Sequence, residues 1–108
     1  MSIQYITDLD DFKTILDWNS KVVIKFTATW CGPCKRIAPT YKQLAKDNKD
    51  IIFLEVDVDD AGQSLLSHLQ ISGIPRFLGY SNTKLVGEMT GGDENRLKEL
   101  VTKLQKVE

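Results

Sequence analysis

The chain has 108 residues, a net charge of -1 and two cysteines, Cys31 and Cys34. That length suits a single domain over 1-108, in which folding buries about 65% of the surface an extended chain exposes, and it excludes a multi-domain reading. A composition 42% hydrophobic and 27% charged excludes disorder and disulfide-dense scaffolds, and 14 basic against 15 acidic residues leave no excess charge for nucleic acid or an anionic membrane.

No apolar run is long enough to span a bilayer. The first eleven residues carry Asp8, Asp10 and Asp11 and no basic segment ahead of an apolar core, so they do not read as a secretion signal. A cytoplasmic address is the expectation.

In chain order, Asp8 or Thr7 caps a helix with Leu9, Phe12, Ile15 and Leu16 on one face, running to about Trp18. The run Val22 to Thr27 is β-branched and aromatic, as in a strand covered on both faces, but Lys25 interrupts it. After Cys34, the residues Ile37, Tyr41, Leu44 and Ala45 recur at helical spacing up to Asn48, with Pro33 in the first turn and Pro39 inside, where a kink is expected. A second buried strand covers Ile51 to Val58, and Leu65, Leu66 and Leu69 mark a short helix. Strands from Arg76 to Tyr80 and Lys84 to Met89 form a hairpin across Ser81-Asn82-Thr83. Asp93 caps a last helix whose apolar face is Leu97, Leu100, Val101 and Leu104. Counting a leading strand, the order is β-α-β-α-β-α-β-β-α. It predicts an α/β fold with a central mixed sheet, mostly parallel with an antiparallel edge hairpin, and helices on both faces.

Cys31 and Cys34 bracket Gly32-Pro33 where a strand hands over to a helix. A structural disulfide closing so short a loop removes little unfolded-chain entropy, about 2 kcal/mol against about 3 for a 15-residue loop, and a cytoplasmic address disfavours it. A metal site needs four ligands, whereas the chain offers two thiols and a distant His68, so it would require a dimer sharing both pairs. Redox chemistry is the reading the residues favour. At a helix N-terminus the unpaired N–H groups and the dipole stabilise a thiolate, which makes Cys31 the expected nucleophile and Cys34 the resolving thiol. Gly32 and Pro33 set the backbone of the turn and so tune the balance of dithiol and disulfide.

The segment Thr27-Ala28-Thr29-Trp30-Cys31-Gly32-Pro33-Cys34-Lys35, followed by Ile37-Ala38-Pro39, resembles the thioredoxin family. Phe53 to Asp59, Gly73-Ile74-Pro75 and Gly91-Gly92 fall in that family's order and spacing, so the resemblance covers nearly the whole chain. It implies a thioredoxin fold and a thiol-disulfide oxidoreductase that reduces protein disulfides and is itself reduced by a thioredoxin reductase or another thiol reductant. It further implies a monomeric electron carrier with no bound cofactor or metal. Pro75 is implied to be cis and, with Gly73 and Ile74, to bind an extended peptide. Trp30 and Gly91 complete an apolar rim. A rival reading is a binding or chaperone-like module with incidental redox activity, and another is an oxidase or isomerase of the same fold.

Several residues depart from the family. Lys25 stands where a buried aspartate is usual, and Glu55 on the adjacent strand is its natural partner, a pair that looks charge-swapped. Glu55 is expected either to take the resolving thiol's proton, with Lys25 orienting it and favouring thiolate, or to stand aside while Lys25 reaches water. Arg76 follows Pro75 where threonine is usual, so it either favours acidic substrates or is a plain surface arginine. Gly79 inside a strand marks a bulge or a close approach.

Overall fold

The computed structural model describes residues 3–107. Nine elements follow one another: β1 (Ile3–Tyr5), α1 (Leu9–Trp18), β2 (Lys21–Thr27), α2 (Gly32–Asp47), β3 (Ile52–Asp57), α3 (Gln63–His68), β4 (Arg76–Ser81), β5 (Lys84–Thr90) and α4 (Glu94–Lys106). They build a five-stranded sheet in the order β1-β3-β2-β4-β5, parallel from β1 through β3 to β2 and antiparallel from β2 through β4 to β5. This is the mixed sheet with an antiparallel edge hairpin that the element pattern predicts.

Successive side chains of a strand point to opposite faces, and two apolar layers result. Val22, Ile24 and Phe26 of β2 join Leu54 and Val56 of β3 under Phe12 of α1 and Leu65 of α3. Val23 and Phe53 face the other way, against Ile37, Tyr41 and Ala45 of α2 and Leu97, Val101 and Leu104 of α4. The pleat therefore directs Lys25 and Glu55, two residues beyond Val23 and Phe53, to the α2 side, and the parallel register sets them side by side.

Local signals account for most boundaries. Asp8, rather than Thr7, caps α1 by accepting the Asp11 N–H, and Asp93 caps α4 by accepting from Asn95 and Arg96. β3 begins at Ile52, one residue later than expected, because the Ile51 N–H closes the turn after α2 on the Asn48 carbonyl. α2 runs unbroken through Pro39. The hairpin loop is Asn82-Thr83 alone, both at positive φ, since Ser81 already pairs with Lys84.

The strand glycine Gly79 lies at a β-bulge. It pairs with Gly87 while Tyr80 pairs with Leu85, which leaves Val86 as the extra residue. The close approach is at its partner: a Cβ on Gly87 would collide with Leu100 Cδ1, whereas one on Gly79 would meet that methyl at 3.5 Å, an ordinary contact. The missing side chain at Gly87 lets α4 settle onto the hairpin.

Candidate active site

β2 ends at Thr27 beside Val58, whose N–H donates to the Thr27 carbonyl, and Ala28-Thr29-Trp30 carry the chain over the sheet edge to α2. Cys31 is the N-cap of that helix with an extended backbone, and its Sγ accepts the Cys34 N–H at 3.2 Å. An N-cap usually offers an oxygen to this donor; here the sulfur fills the role. Cys31 and Cys34 are joined by a disulfide with a Cα–Cα separation of 5.3 Å, inside the usual range. Both cysteines are buried, Cys31 leaving 5% of its surface exposed.

Ala28, Cys31 and Cys34 pack with Val58 and Ile74. The Ile74–Pro75 peptide is cis, as the resemblance implies, and Pro75 is buried. Its carbonyl accepts the Gly91 N–H at 2.8 Å. Gly91 has φ +108, a backbone state that only glycine adopts readily, and Gly92 lies so close to Pro33 that a Cβ would sit 3.3 Å from the Pro33 carbonyl oxygen. The glycine pair thus clamps the cis-proline loop and the Gly32-Pro33 turn together. On the other side Trp30, 67% exposed, lines a shallow pocket of about 170 Å³ with Val58, Leu66, Ile71, Gly73 and Ile74. Ile74 thus packs on the disulfide, Trp30 shares its pocket with Gly73 and Ile74, and Gly91 joins them through its bond to Pro75.

Beneath the disulfide lies Lys25, only 2% exposed. Its Nζ donates to the Cys34 carbonyl oxygen at 3.3 Å, stands 3.7 Å from Glu55 Oε1 and lies 5.7 Å from the centre of the Tyr41 ring. Lys25 therefore does not reach out to water; it is paired inside. Burial lowers the pKa of Lys25, and the Glu55 carboxylate opposes that fall. Burial likewise raises the Tyr41 hydroxyl well above its ordinary value; that hydroxyl donates to the Leu54 carbonyl at 2.7 Å. A cleft of about 620 Å³, lined by Lys25, Cys34, Lys42, Glu55, Asp57 and Asp60 among others, opens the Glu55 side to solvent.

Three charged groups were hidden or misread by sequence reasoning. Arg76 is no free cation beside the rim: its guanidinium donates to Thr90 Oγ1 at 3.0 Å and pairs with Glu88 across the β4–β5 ladder. Asp59, unsuspected in the sequence, accepts the Trp30 indole N–H at 2.8 Å. Arg36, also unsuspected, leans one turn back along α2, with Nη1 3.2 Å from where a Gly32 Cβ would stand. The position i, i+4 to a glycine was the only available clue. His68 is exposed on α3, and among the described residues no helix is long and apolar enough to cross a membrane.

Opening and closing the Cys31–Cys34 bridge is thiol-disulfide exchange, and this fold and site define a thiol-disulfide oxidoreductase. The thioredoxin family profile matches residues 3–106, and the chain belongs to the thioredoxin family. It is 36% identical over 103 residues to a thioredoxin of Ophiophagus hannah, covering 94% of this chain and 97% of the relative. It is 38% identical over 104 residues to a thioredoxin of Gallus gallus, covering 94% and 98% respectively. Among solved structures, Plasmodium falciparum thioredoxin superposes with a TM-score of 0.87 at 35% identity, covering 93% of this chain and 97% of that one. Mitochondrial thioredoxin 3 of Saccharomyces cerevisiae, in its oxidised form, superposes at 0.89 with 31% identity, covering 95% and 96%.

Proposed function

We propose that this chain, acting as a single domain in the cytoplasm, reduces protein disulfides and is recharged by a thioredoxin reductase or another thiol reductant, so that it serves as an electron carrier in cellular redox balance. The observation that carries the reading is the Cys31 sulfur at the α2 N-terminus, already accepting the Cys34 N–H at 3.2 Å. The same N–H and the helix dipole favour a thiolate there once the bridge is reduced. Cys31 attacks the substrate disulfide to form a mixed disulfide, and Cys34 then displaces the substrate thiol. Gly32 and Pro33 set the turn that holds the two sulfurs in reach. Trp30, Gly73, Ile74, Pro75 and Gly91 receive an extended segment of substrate, with the backbone around Pro75 offering hydrogen bonds.

Glu55, through water in the adjoining cleft, takes the proton of Cys34, and Lys25 holds Glu55 in place and favours the thiolate. Catalysed reduction of a protein disulfide with dithiothreitol as electron source tests the reading. Turnover is expected from the natural chain, none above background from Cys31→Ser, and a trapped mixed disulfide from Cys34→Ser. A natural chain without turnover would leave a binding module instead.

A further inference from the structure

Lys25 is the only charged side chain in the buried set of the described residues, and it is bonded to the peptide of Cys34. The groups that face it are Cys34, Tyr41 and Lys42 from α2 and Glu55 from β3, with Asp57 and Asp60 farther out along the cleft. Glu55 is 20% exposed, so water screens its charge; the ammonium has no such screen and is itself hydrogen-bonded to the cysteine peptide.

The ammonium meets different partners in the two redox states. In the disulfide the sulfurs are neutral, and Lys25 has nothing on them to stabilise. In the dithiol state the Cys31 thiolate lies against the N–H of Cys34, the residue whose carbonyl Lys25 already holds, so negative charge appears close to the ammonium. A fixed buried cation therefore lowers the free energy of the reduced form selectively, and a protein whose reduced form is stabilised is a stronger oxidant. We propose that Lys25 poises the Cys31–Cys34 bridge as a disulfide donor, so that the chain also oxidises dithiols and rearranges mispaired disulfides in peptides docked at the same rim.

This rests on the exchange roles given above to Cys31 and Cys34. A substrate thiolate attacks Cys31 Sγ, the Cys31–Cys34 bond breaks, and Cys34 leaves as a thiolate with the electron pair, beside Lys25. The substrate's second thiol loses its proton to solvent and attacks the substrate sulfur of the mixed disulfide, and Cys31 leaves as the second thiolate. The substrate has lost two electrons and gained a disulfide; the protein holds the two electrons. A small-molecule disulfide such as oxidised glutathione restores the bridge, and rearrangement of an existing disulfide needs no net oxidant.

Equilibration of the natural chain, Lys25→Met and Lys25→Arg with defined ratios of reduced and oxidised glutathione at pH 7 tests the proposal, the bound thiols being counted by alkylation. Removing the cation is expected to favour the protein disulfide about tenfold, equal to about 30 mV for a two-electron couple, while Lys25→Arg stays near the natural value. Should the methionine variant fold poorly, Glu55→Gln gives the opposite arm: deleting the opposing carboxylate shifts the equilibrium several-fold toward dithiol. Equal constants across the series, or shifts of reversed sign, overturn the poise. Dithiothreitol-driven turnover by the natural chain is scored separately: turnover with equal constants removes the poise alone, and absent turnover removes the exchange reading beneath it.

Discussion

The Trp30 indole N–H donates to an Asp59 carboxylate oxygen across 2.8 Å, joining the residue before Cys31 to the loop after β3. Asp59 is itself positioned by its own N–H, which donates to Asp57 Oδ1 at 2.9 Å. A large exposed ring is thereby held in place beside the disulfide, and on the proposed function it would lose little freedom on binding a substrate.

Asp59→Ala releases the ring. Its cost, about 1 kcal/mol for one hydrogen bond at an exposed site, is expected as a several-fold rise in KM for a protein disulfide with kcat little changed. In a Trp18→Phe background, where Trp30 is the sole indole, its emission should shift as well. A changed kcat with constant KM would place Asp59 in the chemistry instead.

Glu55→Gln tests the proton route. With the carboxylate as acceptor, resolution of the mixed disulfide should slow about 100-fold at neutral pH, and the difference should narrow as pH rises and hydroxide takes the proton. A profile identical to that of the natural chain removes Glu55 from the step.

Gly87→Ala places a methyl against Leu100 Cδ1, a core atom that packs between the hairpin and α4. Overpacking of this kind costs about 1–3 kcal/mol, or roughly 10 °C in Tm for a domain of this size. Leu100→Val in the same chain should recover part of the loss, which calorimetry of the double variant checks.

Burial pushes the Tyr80 hydroxyl up to about 12. An acid whose pKa is raised by folding contributes stability that is whole below the unfolded value near 10 and is lost as pH climbs through the folded one. Between pH 10 and 12 the unfolded chain ionises this tyrosine and the folded chain resists, so stability falls. Urea midpoints should drop less over that window in Tyr80→Phe than in the natural chain; parallel slopes would contradict the burial argument.

Much of the fold was legible because the signals are local. Helical spacing of Leu97, Leu100, Val101 and Leu104, the capping aspartates, and the β-branched run before Thr27 each depend on a few neighbouring residues. Arg76 shows where that stops. Its pairing with Glu88 and Thr90 is a cross-strand relation, set by the register of β4 on β5, which a bulge at Gly79 shifts by a residue partway along the hairpin. Trp30 and Asp59 are 29 positions apart and meet only because β3 runs beside β2 and ends at the same edge.

The sequence by itself determined that a cysteine pair would begin a helix, since Gly32-Pro33, the apolar period after Cys34 and the strand before Thr27 are all short-range facts. It also announced a lysine inside a strand, without saying where that charge would go. Tertiary structure decided the rest. The pleat of β2 turned Lys25 toward α2, the β3 register put Glu55 beside it, and helix packing set its ammonium on the Cys34 carbonyl. Folding likewise carried Ile74 from far along the chain onto the cysteines and Gly92 against Pro33 between them. Side-chain period is a property of a few consecutive residues, whereas the company a buried charge keeps depends on which strands and helices pack around it.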